Sequence, residues 1–200
     1  MKYAVLTGDI INSTQELSVK WLPELKAVLN LYGQEPEAWE TYRGDSFQLL
    51  LKMEDALEAA IAIKLSMMQF GALNARVAIG LGDVSYQSTK VTESNGEAFI
   101  RSGKTFDSLK KRTLAISMDK PLIEELLNGI IDFGAYIIDG WSVSTVKVIR
   151  LALANPNKTQ VELAKMLEVS QANVSETFSR AAYDKILQMM QLYRHTISTL

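Results

Sequence analysis

Every stretch suited to a β-strand lies within the first 118 residues, and from Pro121 onward the apolar spacing is helical to the end. A chain divided in this way predicts an α+β half followed by an all-α half. Its 200 residues suffice for one large or two small domains, because domains most often run to roughly 100–150 residues. At 48 % apolar and 22 % charged, the chain has the makeup of a globular protein and not of a disordered one.

Residues 3–6 read as a short strand stopped by Thr7-Gly8-Asp9. Leu17, Trp21, Leu25, Val28, Leu29 and Tyr32 then fall on one face of a helix closed by Gly33. Residues 39–42 and 47–51 form a hairpin around Arg43-Gly44-Asp45-Ser46. A helix over 56–70, a strand over 76–81, a helix over 96–111 and a strand over 113–118 follow. The order βαββαβ, then αβ, predicts a ferredoxin-like core with one appended helix and strand. Breaks at Gly129, Gly134, Gly140 and Asn155-Pro156-Asn157 punctuate the rest. The expected division is residues 1–118, a helical linker over 119–140, and an all-α unit over 141–200.

With no cysteine and only His195, the chain has no ligand set for zinc, haem or an iron–sulfur cluster, and no disulfide. Any metal is oxygen-ligated, which means magnesium, manganese or calcium. The N-terminus is too short and polar for a signal peptide, and no run of about 18 apolar residues occurs, so a cytoplasmic protein without membrane contact is expected. The charge is uneven: residues 1–140 carry 14 Lys and Arg against 19 Asp and Glu, residues 141–200 carry 7 against 4. Such a split points to two functions.

Two aspartates carry the first candidate site. Asp9 follows the first strand and Asp45 sits at the hairpin tip. In a βαββαβ sheet the strands that bear them are neighbours, so both carboxylates converge. Together with the Ile10 carbonyl they suit a hard divalent cation that also holds phosphates. Each aspartate alone is ordinary turn chemistry.

Asp9-Ile10-Ile11-Asn12-Ser13-Thr14 resembles the aspartate–isoleucine loop of class III adenylate and guanylate cyclases, and Gly44-Asp45-Ser46-Phe47 resembles their metal-binding hairpin. The run from Arg43 through Leu50 is also similar to the signature hairpin of diguanylate cyclases, with Ser46 in place of the signature glutamate. Residues 76–84, RVAIGLGDV, are similar to the cyclase strand and glycine turn. The resemblance implies magnesium or manganese on Asp9, Ile10 and Asp45, and a nucleotide against Asn12, Ser13, Thr14, Arg43, Gly44 and Lys104. It departs at Ile100 and Lys104, which stand where cyclases carry asparagine and arginine; isoleucine cannot hydrogen-bond a ribose, and lysine lacks a bidentate fork.

Residues 160–179 carry the second site. Leu163, Ala164, Leu167, Val169, Val174 and Phe178 form the inward set, and Ser170 is placed to cap a second helix. The pattern resembles the helix-turn-helix of bacterial sigma-factor-like and repressor domains, with Glu168 at the left-handed turn position where glycine is usual. Over 170–183, Gln171, Ala172, Asn173, Ser175, Glu176 and Ser179 project outward; Gln and Asn suit adenine, and Lys165, Arg180 and Lys185 suit phosphates. The alternative is a three-helix unit used only for packing or dimerisation. Ile186, Leu187, Met190, Tyr193 and Ile197 continue an apolar stripe expected to be core or dimer seam.

The whole chain resembles the bacterial SatD-like family, a cyclase-like half joined to a helix-turn-helix. The expected function is a DNA-binding transcriptional regulator, homodimeric, whose cyclase-like domain binds a nucleotide or divalent metal. The alternatives are a metal-dependent nucleotidyl cyclase or nucleotide hydrolase, and a protein-binding adaptor with both sites vestigial.

Overall fold

The computed structural model describes residues 2–200. It is a mixed α+β structure in which five strands form one sheet, ordered β2-β3-β1-β4-β5, with eight α-helices around it. At its centre β1 (Lys2–Ile11) and β4 (Asn74–Asp83) pair antiparallel. On one side β1 pairs antiparallel with β3 (Ser46–Leu51), which carries β2 (Trp39–Tyr42). At the other edge β5 (Leu114–Ser117) runs parallel to β4. Among the described residues no helix is long and apolar enough to cross a membrane.

Contrary to the sequence reading, β1 does not stop at Leu6. Ladders on both sides hold its backbone through Gly8 and Asp9, opposing Asp9 to Ser46 on β3 and to Arg76 on β4. Glycine is required at position 8 because a Cβ there would stand 2.4 Å from the Phe47 ring and 2.6 Å from the Arg76 carbonyl oxygen.

The strands alternate between two layers. Ala4, Leu6 and Ile10 face a core shared with Trp21, Leu25 and Leu29 of α1 (Ser18–Leu29) and with α2 (Ala56–Met68). α2 is apolar on almost every side and accordingly buried between the sheet and other helices. On the opposite face Val5 and Leu50 pack against Ala98 and Phe99 of α3 (Glu97–Ser108). α3 lies so close to β4 that a Cβ on Gly80 would stand 2.2 Å from the Ala98 carbonyl oxygen. Beside that contact the buried hydroxyls of Thr7 and Ser102 share a hydrogen bond of 2.9 Å.

The later helices are α4 (Pro121–Asp139), α5 (Val143–Ala154), α6 (Gln160–Leu167), α7 (Gln171–Arg180) and α8 (Tyr183–Ser198). Leu127 and Ile131 of α4, Ile149 of α5, and Ile186, Tyr193 and Ile197 of α8 join the same apolar core as the strands. Of the stripe expected on α8, Ile186, Tyr193 and Ile197 are thus core and Met190 packs against it, while Leu187 is in part exposed. The buried Tyr193 hydroxyl donates to the carbonyl of Met53 at 2.7 Å, in the turn before α2. α5, α6 and α7 also enclose a smaller cluster of Val148, Leu163, Ala164 and Val174.

Candidate functional site

Where β1 meets the β2–β3 hairpin, the sheet opens into a cleft of about 440 Å³ lined by Asp9, Ile10, Asn12, Ser13, Thr14 and Asp45, with Arg76, Lys110, Lys111 and Thr113 opposite. The β1–β3 pairing brings the two aspartates to one place. The Ile10 amide donates to the Asp45 carbonyl at 3.1 Å, tying the hairpin tip to β1. Arg43 and Gly44 shape the hairpin turn with positive φ, 54° and 89°. A Cβ on Gly44 would meet nothing within 4 Å, so its glycine serves the backbone conformation alone.

Arg76 dominates the electrostatics. Its Nε donates to Asp9 Oδ1 at 2.9 Å and its Nη2 to Oδ2, a two-pronged grip on the carboxylate. That partner raises the guanidinium's already high pKa. The same guanidinium lies over the Phe106 ring, 5.6 Å from its centroid. Asp45 Oδ2 accepts from Ser13 Oγ at 2.7 Å. Burial, with Asp9 adding to it, pushes the nearby Tyr42 phenol up.

The cyclase resemblance implies a divalent cation here. Both oxygens of Asp9 are taken by Arg76 and one of Asp45 by Ser13, and among the described residues no group of three or more His, Cys, Asp and Glu could hold a metal. A fixed positive charge already neutralises the carboxylate that would carry the ion. As folded, Asp9 meets a guanidinium where the resemblance implies a cation.

Other expected residues lie apart. Arg43 borders a separate cleft of about 280 Å³ with Thr7, Tyr42, Gln48, Phe106 and Asp107. Lys104 is exposed on α3 and lines neither cleft, and Ile100 is 44 % exposed on the same helix. Arg76, Lys110 and Lys111 were not singled out from sequence. In the sequence Arg76 stands as the first residue of RVAIGLGDV, and Lys110 and Lys111 in the basic run Lys110-Lys111-Arg112.

The second candidate surface is α7. α6 begins at a capping box in which Thr159 and Glu162 satisfy each other's backbone amides. It ends at Glu168, whose backbone is left-handed at φ 55°. Ser170 then caps α7, its Oγ accepting from the Asn173 amide at 3.1 Å. Val174 and Thr177 turn inward, while Gln171, Asn173, Ser175, Glu176, Ser179 and Arg180 are exposed, as is Lys165 on α6. Gln171 donates to Gln160 at 2.8 Å. Val169, expected inside, is 41 % exposed, because the turn points it outward.

No protein-family model matches the chain, and no curated protein is significantly similar to it.

Proposed function

We propose that the chain is a SatD-like, DNA-binding regulator whose α6–α7 unit is a helix-turn-helix, and whose cleft around Asp45 and Arg76 takes a phosphorylated ligand. The strand order β2-β3-β1-β4 with antiparallel neighbours supports a ferredoxin-like, cyclase-like first half. The carrying observation is the capped N-terminal half of α7, which offers exposed Gln171, Asn173 and Ser175 to a major groove, flanked by Lys165 and Arg180 for phosphates. The net positive charge of residues 141–200 agrees with this orientation.

In the cleft, Arg76 neutralises Asp9, which leaves Lys110 and Lys111 against one carboxylate. The balance favours an anion such as a nucleotide phosphate, with the Ser13, Thr14 and Thr113 hydroxyls as further partners.

Fluorescence anisotropy with a pool of random duplexes tests the DNA reading. Binding is expected to weaken steeply between ~50 and ~200 mM salt, Arg180→Ala to lower affinity on every sequence, and Asn173→Ala to relax a selected site. Absence of binding at the lower salt would refute it. For the cleft, nucleotides are expected to raise the melting temperature of wild type and not of a Lys110→Ala, Lys111→Ala double variant.

A further inference from the structure

α4 has two apolar faces. Leu127, Ile131, Ala135 and Ile138 are buried against the body. On the opposite face Leu122, Leu126, Phe133 and Tyr136 are 70, 60, 76 and 82 % exposed, with Ile130 beside them at 36 %. The exposed positions, with Gly129 between them, advance by four, three, four and three residues, the spacing of a helix–helix seam. A Cβ on Gly129 would meet nothing within 4 Å, so no contact within the chain calls for glycine there.

We infer that this face of α4 is a homodimer interface in which two copies of the helix cross antiparallel at Gly129. The stripe is graded: leucines occupy its N-terminal half, aromatics its C-terminal half, and the smallest residue its middle. An antiparallel copy lays Phe133 and Tyr136 of one chain over Leu122 and Leu126 of the other, twice by symmetry, and closes the two backbones at the residue without a side chain. A twofold interface requires such self-complementarity, and a different partner does not.

The area agrees. Aromatic side chains each offer roughly 150–250 Å², and the five exposed residues together present roughly 600 Å² at the stated exposures, at the upper end of what a monomer leaves uncovered. With a polar rim this approaches the roughly 800 Å² per partner of a stable interface. Glu125 and Asp132, exposed beside the stripe, oppose an anionic membrane as its cover. The inference does not rest on DNA binding.

Sedimentation of the full chain at micromolar concentration tests it, with the expected mass twice the chain's 22.3 kDa. Phe133→Glu and, separately, Tyr136→Glu are each expected to weaken the dimer at least roughly 100-fold while leaving the circular dichroism melt in place. Because the chain has no cysteine, single substitutions report the geometry. Gly129→Cys is expected to give a disulfide-linked dimer on mild oxidation. Leu122→Cys is expected to give none, its two copies lying roughly 20 Å apart in the antiparallel arrangement. A monomeric wild type, a dimer indifferent to both glutamates, or cross-linking at Leu122 instead of Gly129 would overturn the inference.

Discussion

The ammonium of Lys64, wholly buried on α2, lies 2.8 Å from the carboxylate of Asp139 at the end of α4. Asn74 and the Ala75 carbonyl accept its remaining protons at 3.0 and 3.1 Å, and Asp139 also accepts from Asn74 and Thr113. One ion pair thereby joins a helix on the sheet's face to the first helix after the sheet.

Its two partners are not equivalent. Asp139→Ala strands a buried ammonium and is expected to cost about 3 kcal/mol or more. Lys64→Met leaves a carboxylate that is 26 % exposed and still has hydroxyl and amide donors, so about 1 kcal/mol is expected. Burial lowers the Lys64 pKa and Asp139 opposes that shift. Without Asp139 the folded pKa falls further below the unfolded ~10.4, the unfolded chain binds more protons, and stability rises more steeply with pH toward ~10 than in wild type. Urea unfolding at several pH values measures all three outcomes.

Burial, with Glu54 and Asp55 adding to it, pushes the Tyr193 phenol well above its usual range. A raised folded pKa gives stability that is complete below the unfolded value of ~10 and is lost as pH climbs past it. Tyr193→Phe is expected to cost about 1 kcal/mol at neutral pH through the lost bond to Met53, and to flatten the alkaline decline. Thermal melts from pH 7 to pH 11 compare the two proteins, ~4 units spanning the phenol's usual pKa.

Arg76 occupies the place of a cation beside Asp9. Arg76→Ala is expected to create a response to magnesium or manganese that wild type lacks, a ligand at ~100 times its dissociation constant adding ~2.7 kcal/mol. Melting curves with and without the ion decide it. An equal response in wild type would show that the guanidinium does not block the carboxylates.

Glu168 holds a left-handed backbone at φ 55° and ψ 39°. Glu168→Gly is expected to stabilise the protein by about 0.5–1 kcal/mol, the relieved strain exceeding the added unfolded-state entropy. Equilibrium denaturation measures it, and a loss of stability would contradict it.

The elements were legible where local pattern carries them, as in the hairpin around Arg43-Gly44 and the helix over Ala56–Met68, while the turn at Glu168 came from the helix-turn-helix resemblance. Asp9 and Asp45 could be brought together on paper because strand adjacency follows from element order. Arg76 could not, since its approach to Asp9 depends on the register of strands 67 residues apart, which no local spacing encodes. Thr7-Gly8-Asp9 read as a loop because polar and glycine residues usually end strands, yet here two ladders hold them flat. The outer stripe of α4 escaped notice for a further reason: a helix apolar on two faces reads as a buried one.

Only Ala181 and Ala182 separate α7 from α8, and Tyr193 bolts α8 to the turn before α2 roughly 16 Å further along. α7 is also held directly: Ala181 and Ile186 lie in the core shared with the strands, and Val174 packs against Val148 of α5. A close-packed core leaves such an element little room to shift on its own. The orientation in which α7 meets a partner is therefore set by the packed core, and not by the two-residue connection to α8.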